Sequence, residues 1–341
     1  MNRSRTGAET QTKRVTLDDL SSYLQLSKFS VSRALSGRKG VSSATRALVV
    51  DAARKLGYDH PGLRGGQGGR ERVQLVIPRI DAIDNPSWIE VIGGAEAEAR
   101  RAGWTLVTAL VEDSFVASDD HPGVRGILVA GRRSRGLLES YIASDVPVVL
   151  IGYPKPGEHI DAVHVADWEA GFLMGAHLRE LGHRHVAFIT DAPEDLGRRE
   201  RLRGCRDAME DSGTVSELLF DPEREREARA IYGRLKESGP LPTAVFCASE
   251  AVCVSVLMAL TEAGVRVPAD MSVATSNSTL RPAQVGFDVT ALNAPMYEIG
   301  ALAVDLLRKR IRTDGNWTPR RLCLCSDLVV KATTARPRQG R

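Results

Sequence analysis

From Val73 onward the sequence alternates short apolar runs with longer amphipathic stretches, and that alternation leaves little choice of fold. Val73 to Ile77 is an apolar run ending at Pro78, Ser87 to Ala102 has helical spacing, and strands are predicted at Trp104 to Ala109, Gly126 to Ala130 and Val146 to Ile151. A second series follows: helix Trp168 to Leu181, strand His185 to Thr190, helices Leu196 to Ser212 and Glu223 to Lys236, and strand Ala244 to Cys247. Helix Glu250 to Ala263, strand Met271 to Thr275, helix Met296 to Arg312 and strands near Arg321 to Cys325 and Leu328 to Val330 complete the pattern. Such alternation builds parallel sheets with helices on both faces. Two series in one stretch predict an α/β body of two Rossmann-like lobes, with ligands bound in the cleft outside the carboxyl ends of the strands.

The residues ahead of this body differ in charge. The whole chain carries a net +3, but residues 1 to 72 hold 14 Lys and Arg against 6 Asp and Glu, which leaves the remainder at 32 against 37. A small basic head on a mildly acidic body points to a polyanion as the partner of the head. The longest apolar stretch, Ala251 to Leu260, is too short to cross a bilayer. The first fourteen residues are polar and basic with no apolar run behind them, so no signal peptide is expected. Five scattered cysteines suit a reducing compartment better than a disulfide framework, and the expected location is the cytoplasm.

Within the head, Thr16 is placed to cap a short helix in which Asp18 and Asp19 favour the positive end and Leu17, Leu20 and Leu24 share one face. Gln25-Leu26-Ser27 is a tight connection, and Ser27 caps a second helix, Lys28 to Leu35, with Val31, Ala34 and Leu35 turned inward. Ser42 caps a third, Ala44 to Leu56. Two short helices joined by three residues form a helix-turn-helix, whose second helix enters the major groove. On its outward face Lys28, Phe29 and Arg33 are the candidate base readers: Arg33 can bind guanine through two hydrogen bonds and Phe29 can press on a thymine methyl. Thr16, Ser27, Ser32, Ser42 and Thr45 are candidates for holding phosphates.

The run from Val15 to Gly37, followed by Val41-Ser-Ser-Ala-Thr-Arg46 and Ala53-Arg-Lys-Leu-Gly-Tyr58, closely resembles the DNA-binding domain of the lactose-repressor (LacI/GalR) family. The resemblance implies that Lys28, Phe29 and Arg33 read bases in a double-stranded operator, although polar residues are commoner in the family where this chain has Phe29. After the closing tyrosine the family carries a hinge helix whose leucine wedges into the minor groove. This chain instead places Gly62, Gly65, Gly66, Gly68 and Gly69 there, each disfavouring a helix by roughly 1 kcal/mol relative to alanine. The stretch 61–72 therefore reads first as a flexible linker, with Leu63 and Arg64 as the minor-groove candidates should a hinge helix form.

The body is similar to the family's periplasmic-binding-protein-like sensor domain over residues 73–335. The matching motifs are Asp84-Asn85-Pro86, Val124-Arg-Gly-Ile-Leu-Val129, His177-Leu-Arg-Glu-Leu-Gly-His183, Arg201-Leu-Arg-Gly204, Pro242-Thr-Ala-Val-Phe-Cys247, Gly264-Val-Arg-Val-Pro268 and Pro295-Met-Tyr-Glu-Ile-Gly300. This implies a helix-turn-helix domain at 15–60, a first lobe of about 73–161 and 293–325, and a second of about 162–292 and 326–335. It also implies a homodimer with a small sugar-like effector held between the lobes. Arg201 stands at the family's sugar-clamping arginine, and Asn85 and Trp88 lie on the first lobe's loop. Elsewhere the pocket departs from the family: Ser249-Glu250 replaces Asn-Asp, Thr275-Ser-Asn-Ser278 replaces Gly-Phe-Asp-Asp, Ala294 stands where glutamine is usual, and Gly152 takes an acidic position. Two readings stay open. In one the cleft is retuned for another ligand gripped by Asn85, Trp88, Arg201, Glu250 and Asn277. In the other Arg201 and Glu250 form a structural ion pair and the cleft senses nothing small, leaving regulation ligand-independent or under a protein partner.

Other constellations carry less. His183-Arg-His185 reads as the end of a helix and the start of a strand rather than a metal pair. Cys323-x-Cys325 lacks a partner pair for zinc. No nucleophile elbow, His-Glu-x-x-His or phosphate-loop lysine is present. The expectation is therefore a DNA-binding regulator, read as a repressor, with no catalytic residue, cofactor or metal and no membrane partner. A solute-binding transport protein would share the body but not the basic head.

Overall fold

The computed structural model describes residues 15–35, 41–56, 58, 71–78, 87–111, 123–131, 135–142, 146–221, 228–237, 241–277, 282, 286–313 and 317–338. By compactness the chain divides at Arg70/Glu71 into two units.

Among the described residues the first unit holds three helices, α1 (Leu17–Leu24), α2 (Lys28–Leu35) and α3 (Ser43–Leu56). Thr16 and Asp19 form a capping box at the start of α1, and Gln25 ends that helix in the left-handed region at φ 53°. That turn releases the chain into α2 after three residues. Leu20, Val31, Ala34, Leu35, Val49, Ala52 and Ala53 are all buried in one small core, to which each helix contributes. Val31, Ala34 and Leu35 sit on one stripe of α2 because they are three and four residues apart.

The second unit contains two six-stranded sheets. The first comprises β1 (Arg72–Pro78), β2 (Thr105–Val111), β3 (Val124–Ala130), β4 (Val148–Ile151), β5 (Asp161–Val165) and β11 (Arg321–Leu324), in the order β11-β5-β4-β3-β1-β2. The other comprises β6 (His185–Thr190), β7 (Thr214–Leu219), β8 (Ala244–Cys247), β9 (Ser272–Ser276), β10 (Thr290–Asn293) and β12 (Asp327–Val329), in the order β12-β10-β9-β8-β6-β7. Each lobe thus repeats the doubly wound order 2-1-3-4-5, with its switch point beside its first strand. Among the described residues all pairings are parallel except β10 with β12. Central strands such as Val245–Cys247 and Leu75–Ile77 are buried throughout, as parallel strands covered on both faces require.

The covering helices are α4 (Trp88–Arg101), α5 (Arg135–Ile142) and α10 (Met296–Arg312) in the first lobe. In the second they are α6 (Asp167–Glu180), α7 (Leu196–Met209), α8 (Ala228–Glu237) and α9 (Glu250–Glu262). The chain passes between the lobes three times, after β5, after β10 and after β11.

Four elements escape the periodicity reading: α5, β5, β7 and β10. Strand β7 is an edge strand with mostly exposed residues, so its sequence shows no apolar run, and β10 has four residues. Because β5 belongs to the first sheet, that lobe continues to Val165 rather than stopping at 161. His183 is fully buried between the Thr243 hydroxyl at 2.8 Å and the Ala335 carbonyl at 2.9 Å, which ties the segment after β12 to the second lobe. No helix among the described residues is long and apolar enough to cross a membrane.

A candidate nucleic-acid face and an interlobe cleft

On α2, Phe29 is 68% exposed, and the Arg33 guanidinium one turn further on lies 5.0 Å from the centre of its ring. That distance is within cation–π range. Lys28 is exposed and pairs at 2.5 Å with Asp18 of α1. Lys28 and Phe29 thus point away from the stripe that fills the core, while Ser32 and Arg33 are half-buried beside them.

The candidate phosphate-binding hydroxyls do a second job here. Thr16 Oγ1 accepts from the Asp19 amide at 3.3 Å, Ser27 Oγ from the Ser30 amide at 3.1 Å, and Ser42 Oγ from the Thr45 amide at 3.1 Å. Each therefore caps a helix. The capped ends of α2 and α3 present further backbone amides and positive helix ends, the combination that favours a phosphate. Leu63 and Arg64 of the linker lie outside the described residues, as does Asn85 of the effector set.

In the second unit, Trp88, Arg201, Glu250 and Asn277 converge on one cavity of about 180 Å³ at the carboxyl ends of the strands. A neighbouring cavity of about 540 Å³ shares Trp88 and Arg201, and is walled by Leu138, Ile151, Leu196 and Met296. Trp88 begins α4 and is buried, with its ring against the first lobe's core. Glu250 begins α9, after Ser249 caps that helix through the Val252 amide.

Arg201, on α7, is held from three sides. Its Nε donates to Asp167 at 2.6 Å, and its Nη1 donates to the Ala248 carbonyl at 2.9 Å and to the Ser276 hydroxyl. Its Nη2 makes no hydrogen bond among the described residues. The carboxylate that orients Arg201 is thus Asp167, a residue absent from the sequence-based set. Burial pushes the Asp167 carboxyl up to about 6, against the pull of Arg201 and with a further push from Asp195. Tyr153 supports it: the Tyr153 hydroxyl accepts from the Asp167 amide at 3.1 Å and donates to the Val165 carbonyl at 2.8 Å. Burial raises the tyrosine's own pKa, so the hydroxyl stays protonated as that bond requires. Beside them Arg198 pairs with Asp191.

Close helix packing positions Arg201. A Cβ on Gly171 of α6 would lie 1.9 Å from the Arg201 carbonyl oxygen, and one on Gly204 of α7 would lie 2.0 Å from the Trp168 carbonyl oxygen. Only glycine lets the two helices approach this far.

Asn277 lines the cavity and is also bonded within the protein. It sits just after β9 at φ 51°, where its Oδ1 accepts from the Ala294 amide at 2.8 Å and its Nδ2 donates to the Ser87 hydroxyl at 3.4 Å. Both ends of the amide are used within the protein, one of them across the cleft. A sequence signal for Asp167 exists in hindsight: an acidic residue at the first position of a helix directly after a strand, where backbone amides and a helix end favour it.

Residues 176–334 match the family model described as a periplasmic binding protein-like domain. Over 332 residues the chain is 24% identical to the HTH-type transcriptional repressor PurR of Actinobacillus pleuropneumoniae serotype 3 (strain JL03), covering 93% of this chain and 97% of the relative. It is also 24% identical over 344 residues to the HTH-type transcriptional regulator DegA of Bacillus subtilis (strain 168), covering 94% and 98%. Among solved structures, a complex of the transcriptional regulator CelR with cellobiose aligns with a TM-score of 0.67 at 26% identity, over 94% of this chain and all of that one. The lac repressor dimer bound to operator and the anti-inducer ONPF aligns with a TM-score of 0.65 at 21% identity, over 95% and 100%.

Proposed function

The chain belongs to the LacI/GalR family of transcriptional regulators, and from that premise we propose how its two units divide the work. The head binds a roughly palindromic double-stranded operator as part of a homodimer, with α2 in the major groove. Arg33 takes guanine through two hydrogen bonds, Phe29 and Lys28 address neighbouring positions, and the capped ends of α2 and α3 hold phosphates through Ser27, Ser32, Ser42 and Thr45. Thr16, at the head of α1, contacts the backbone from the flank. Leu63 and Arg64 are the minor-groove candidates of the linker.

The body senses a small hydroxylated effector, a sugar or sugar derivative, in the interlobe cleft. The observation that carries this reading is the posture of Arg201. Asp167, Ala248 and Ser276 fix the guanidinium, yet Nη2 keeps two donors without a protein partner among the described residues, and Arg201 lines the interlobe cavity. A preorganised donor pair of this kind suits two adjacent hydroxyls. Glu250 is an acceptor for further hydroxyls, and Trp88 offers a ring edge for a sugar face. Asn277 contributes chiefly by setting how the lobes meet, and Asn85 is proposed from its place in the matching motif alone. An effector bound to both lobes stabilises one lobe arrangement and so changes operator affinity by linkage.

The test is a thermal-shift screen against sugars, sugar acids, polyols and nucleosides, followed by operator titration with each hit. A ligand present at a hundred times its dissociation constant stabilises the native state by about 2.7 kcal/mol. Arg201→Ala should abolish the shift. The competing reading, a ligand-blind regulator, draws on the same Asp167–Arg201 pair taken as purely structural. It is favoured if no ligand shifts melting while operator binding remains intact.

A further inference from the structure

We propose that Phe29 and Arg33 act as one reader of a two-base-pair step, guanine on one pair and a C5-methyl group on its neighbour, so that operator affinity depends on that methyl. This rests on the reading of α2 as the major-groove helix.

The pair is not a by-product of folding. Val31, Ala34 and Leu35 fill the core of the unit, whereas the Phe29 ring stays 68% exposed. The Arg33 guanidinium lies 5.0 Å from the ring centre, and its Nε is buried with no hydrogen-bond partner among the described residues. The ring face, rather than a hydrogen bond to Nε, is therefore what restrains this end of the guanidinium. A guanidinium held in this way loses less rotamer freedom when its outer donors meet O6 and N7 of guanine.

Geometry then assigns the ring. Base pairs stack about 3.4 Å apart along the duplex, so a ring 5.0 Å from a guanine-bound guanidinium reaches the adjacent pair. A phenyl ring has no hydrogen-bonding atom, and the one apolar group that a natural base presents in the major groove is the C5-methyl of thymine. Cytosine methylated at C5 presents the same group. A thymine-guanine step and a methylated cytosine-guanine step are then equivalent to the ring, and an unmethylated cytosine is not.

The experiment uses the full-length protein and an operator selected by it from random duplexes, with affinities compared at one fixed salt concentration. Uracil in place of the step's thymine removes only the methyl. Wild type should bind the uracil operator about fourfold more weakly per altered half-site, the worth of one buried methyl. A 5-methylcytosine duplex should bind tighter than its unmethylated counterpart by a similar factor. Phe29→Ala should bind thymine and uracil operators alike, and Phe29→Leu, which keeps an apolar side chain but loses the ring, should show an intermediate response. Melting of each variant followed by circular dichroism controls for folding of the head.

Equal wild-type affinity for thymine and uracil operators, with Arg33→Ala still losing its guanine preference, overturns the proposal and leaves the assignment of α2 standing. A uracil effect without a 5-methylcytosine effect also overturns it, since the methyl is then not the feature read. Absence of any sequence-selective binding by wild type removes the assignment of α2 and the proposal with it.

Discussion

Asn277, in the second lobe, donates its side-chain amide to the Ser87 hydroxyl of the first lobe at 3.4 Å, while its carbonyl accepts the Ala294 amide of a connecting segment at 2.8 Å. One side chain thus touches both lobes and one of the passages between them. Its backbone pays for this placement with φ 51°, a conformation that asparagine tolerates better than most residues. Asn277→Gly keeps the backbone and deletes both bonds, and should lower stability by about 1–3 kcal/mol. Asn277→Ala should cost about 1 kcal/mol more, because alanine has no comparable tolerance of the left-handed region. Urea unfolding of the two variants orders them, and equal stabilities would show that the backbone posture is unimportant.

Asp167 makes stability depend on pH. Its carboxyl titrates at about 6 in the folded protein against 3.8 for an unperturbed aspartate. The folded state therefore keeps a proton that the unfolded chain releases, so the contribution of this group is greatest below about pH 4 and falls as pH rises through 6. The loss across that window is roughly 3 kcal/mol. Asp167→Asn removes the titration. The stability difference between wild type and variant, followed from pH 4 to 7, should slope downward for wild type, and a flat difference contradicts the assignment.

Two glycines give opposite predictions for the same substitution. At Gly171 a methyl meets the Arg201 carbonyl oxygen at 1.9 Å, so Gly171→Ala should destabilise by about 1–3 kcal/mol or more as α6 and α7 separate. Because Arg201 rides on α7, effector-induced stabilisation should shrink as well. At Gly233 of α8 a methyl meets nothing within 4 Å among the described residues, and Gly233→Ala should stabilise by about 0.5–1 kcal/mol. Thermal melts of both variants check the pair, with opposite signs expected.

On DNA, Arg33→Ala should cost about 1–3 kcal/mol and relax preference at one base pair per half-site. Lys28→Ala should relax preference at the neighbouring position it addresses and, because it also removes a positive charge, give a shallower salt dependence. Affinities for single-base operator variants at two salt concentrations separate these outcomes. Unchanged discrimination in Arg33→Ala would rule that side chain out as a reader.

Helices with a regular apolar stripe were fully legible. The observed α2 and α10 start and stop where the spacing and flanking residues place them, Lys28–Leu35 and Met296–Arg312. Strand β7 was illegible because an edge strand buries little, and Thr214-Val-Ser-Glu-Leu-Leu219 carries no two-residue alternation strong enough to mark it. For the cleft, the matching motifs identified Arg201, but neither spacing nor chemistry could pair it with Asp167, 34 residues earlier. The pair meets where α6 and α7 lie close together, an approach that Gly171 and Gly204 permit. The bonding partners of Asn277 were illegible for a related reason: Ser87 and Ala294 are distant in sequence and meet it only once both lobes have formed.

The three passages between the lobes also set an order of assembly. The core of the first lobe draws Met296, Ile299, Ala303, Val304, Leu306 and Leu307 from α10, and its sheet is edged by β11. A ribosome delivers those residues only after the whole of residues 166–293 has emerged. By then the second lobe has every strand but β12, whereas the first waits with one helix and one edge strand missing and an apolar face uncovered. The lobe begun first therefore waits through the synthesis of the other with its apolar face uncovered, and it is the one that needs shielding, although β12 of the second sheet is the last strand made.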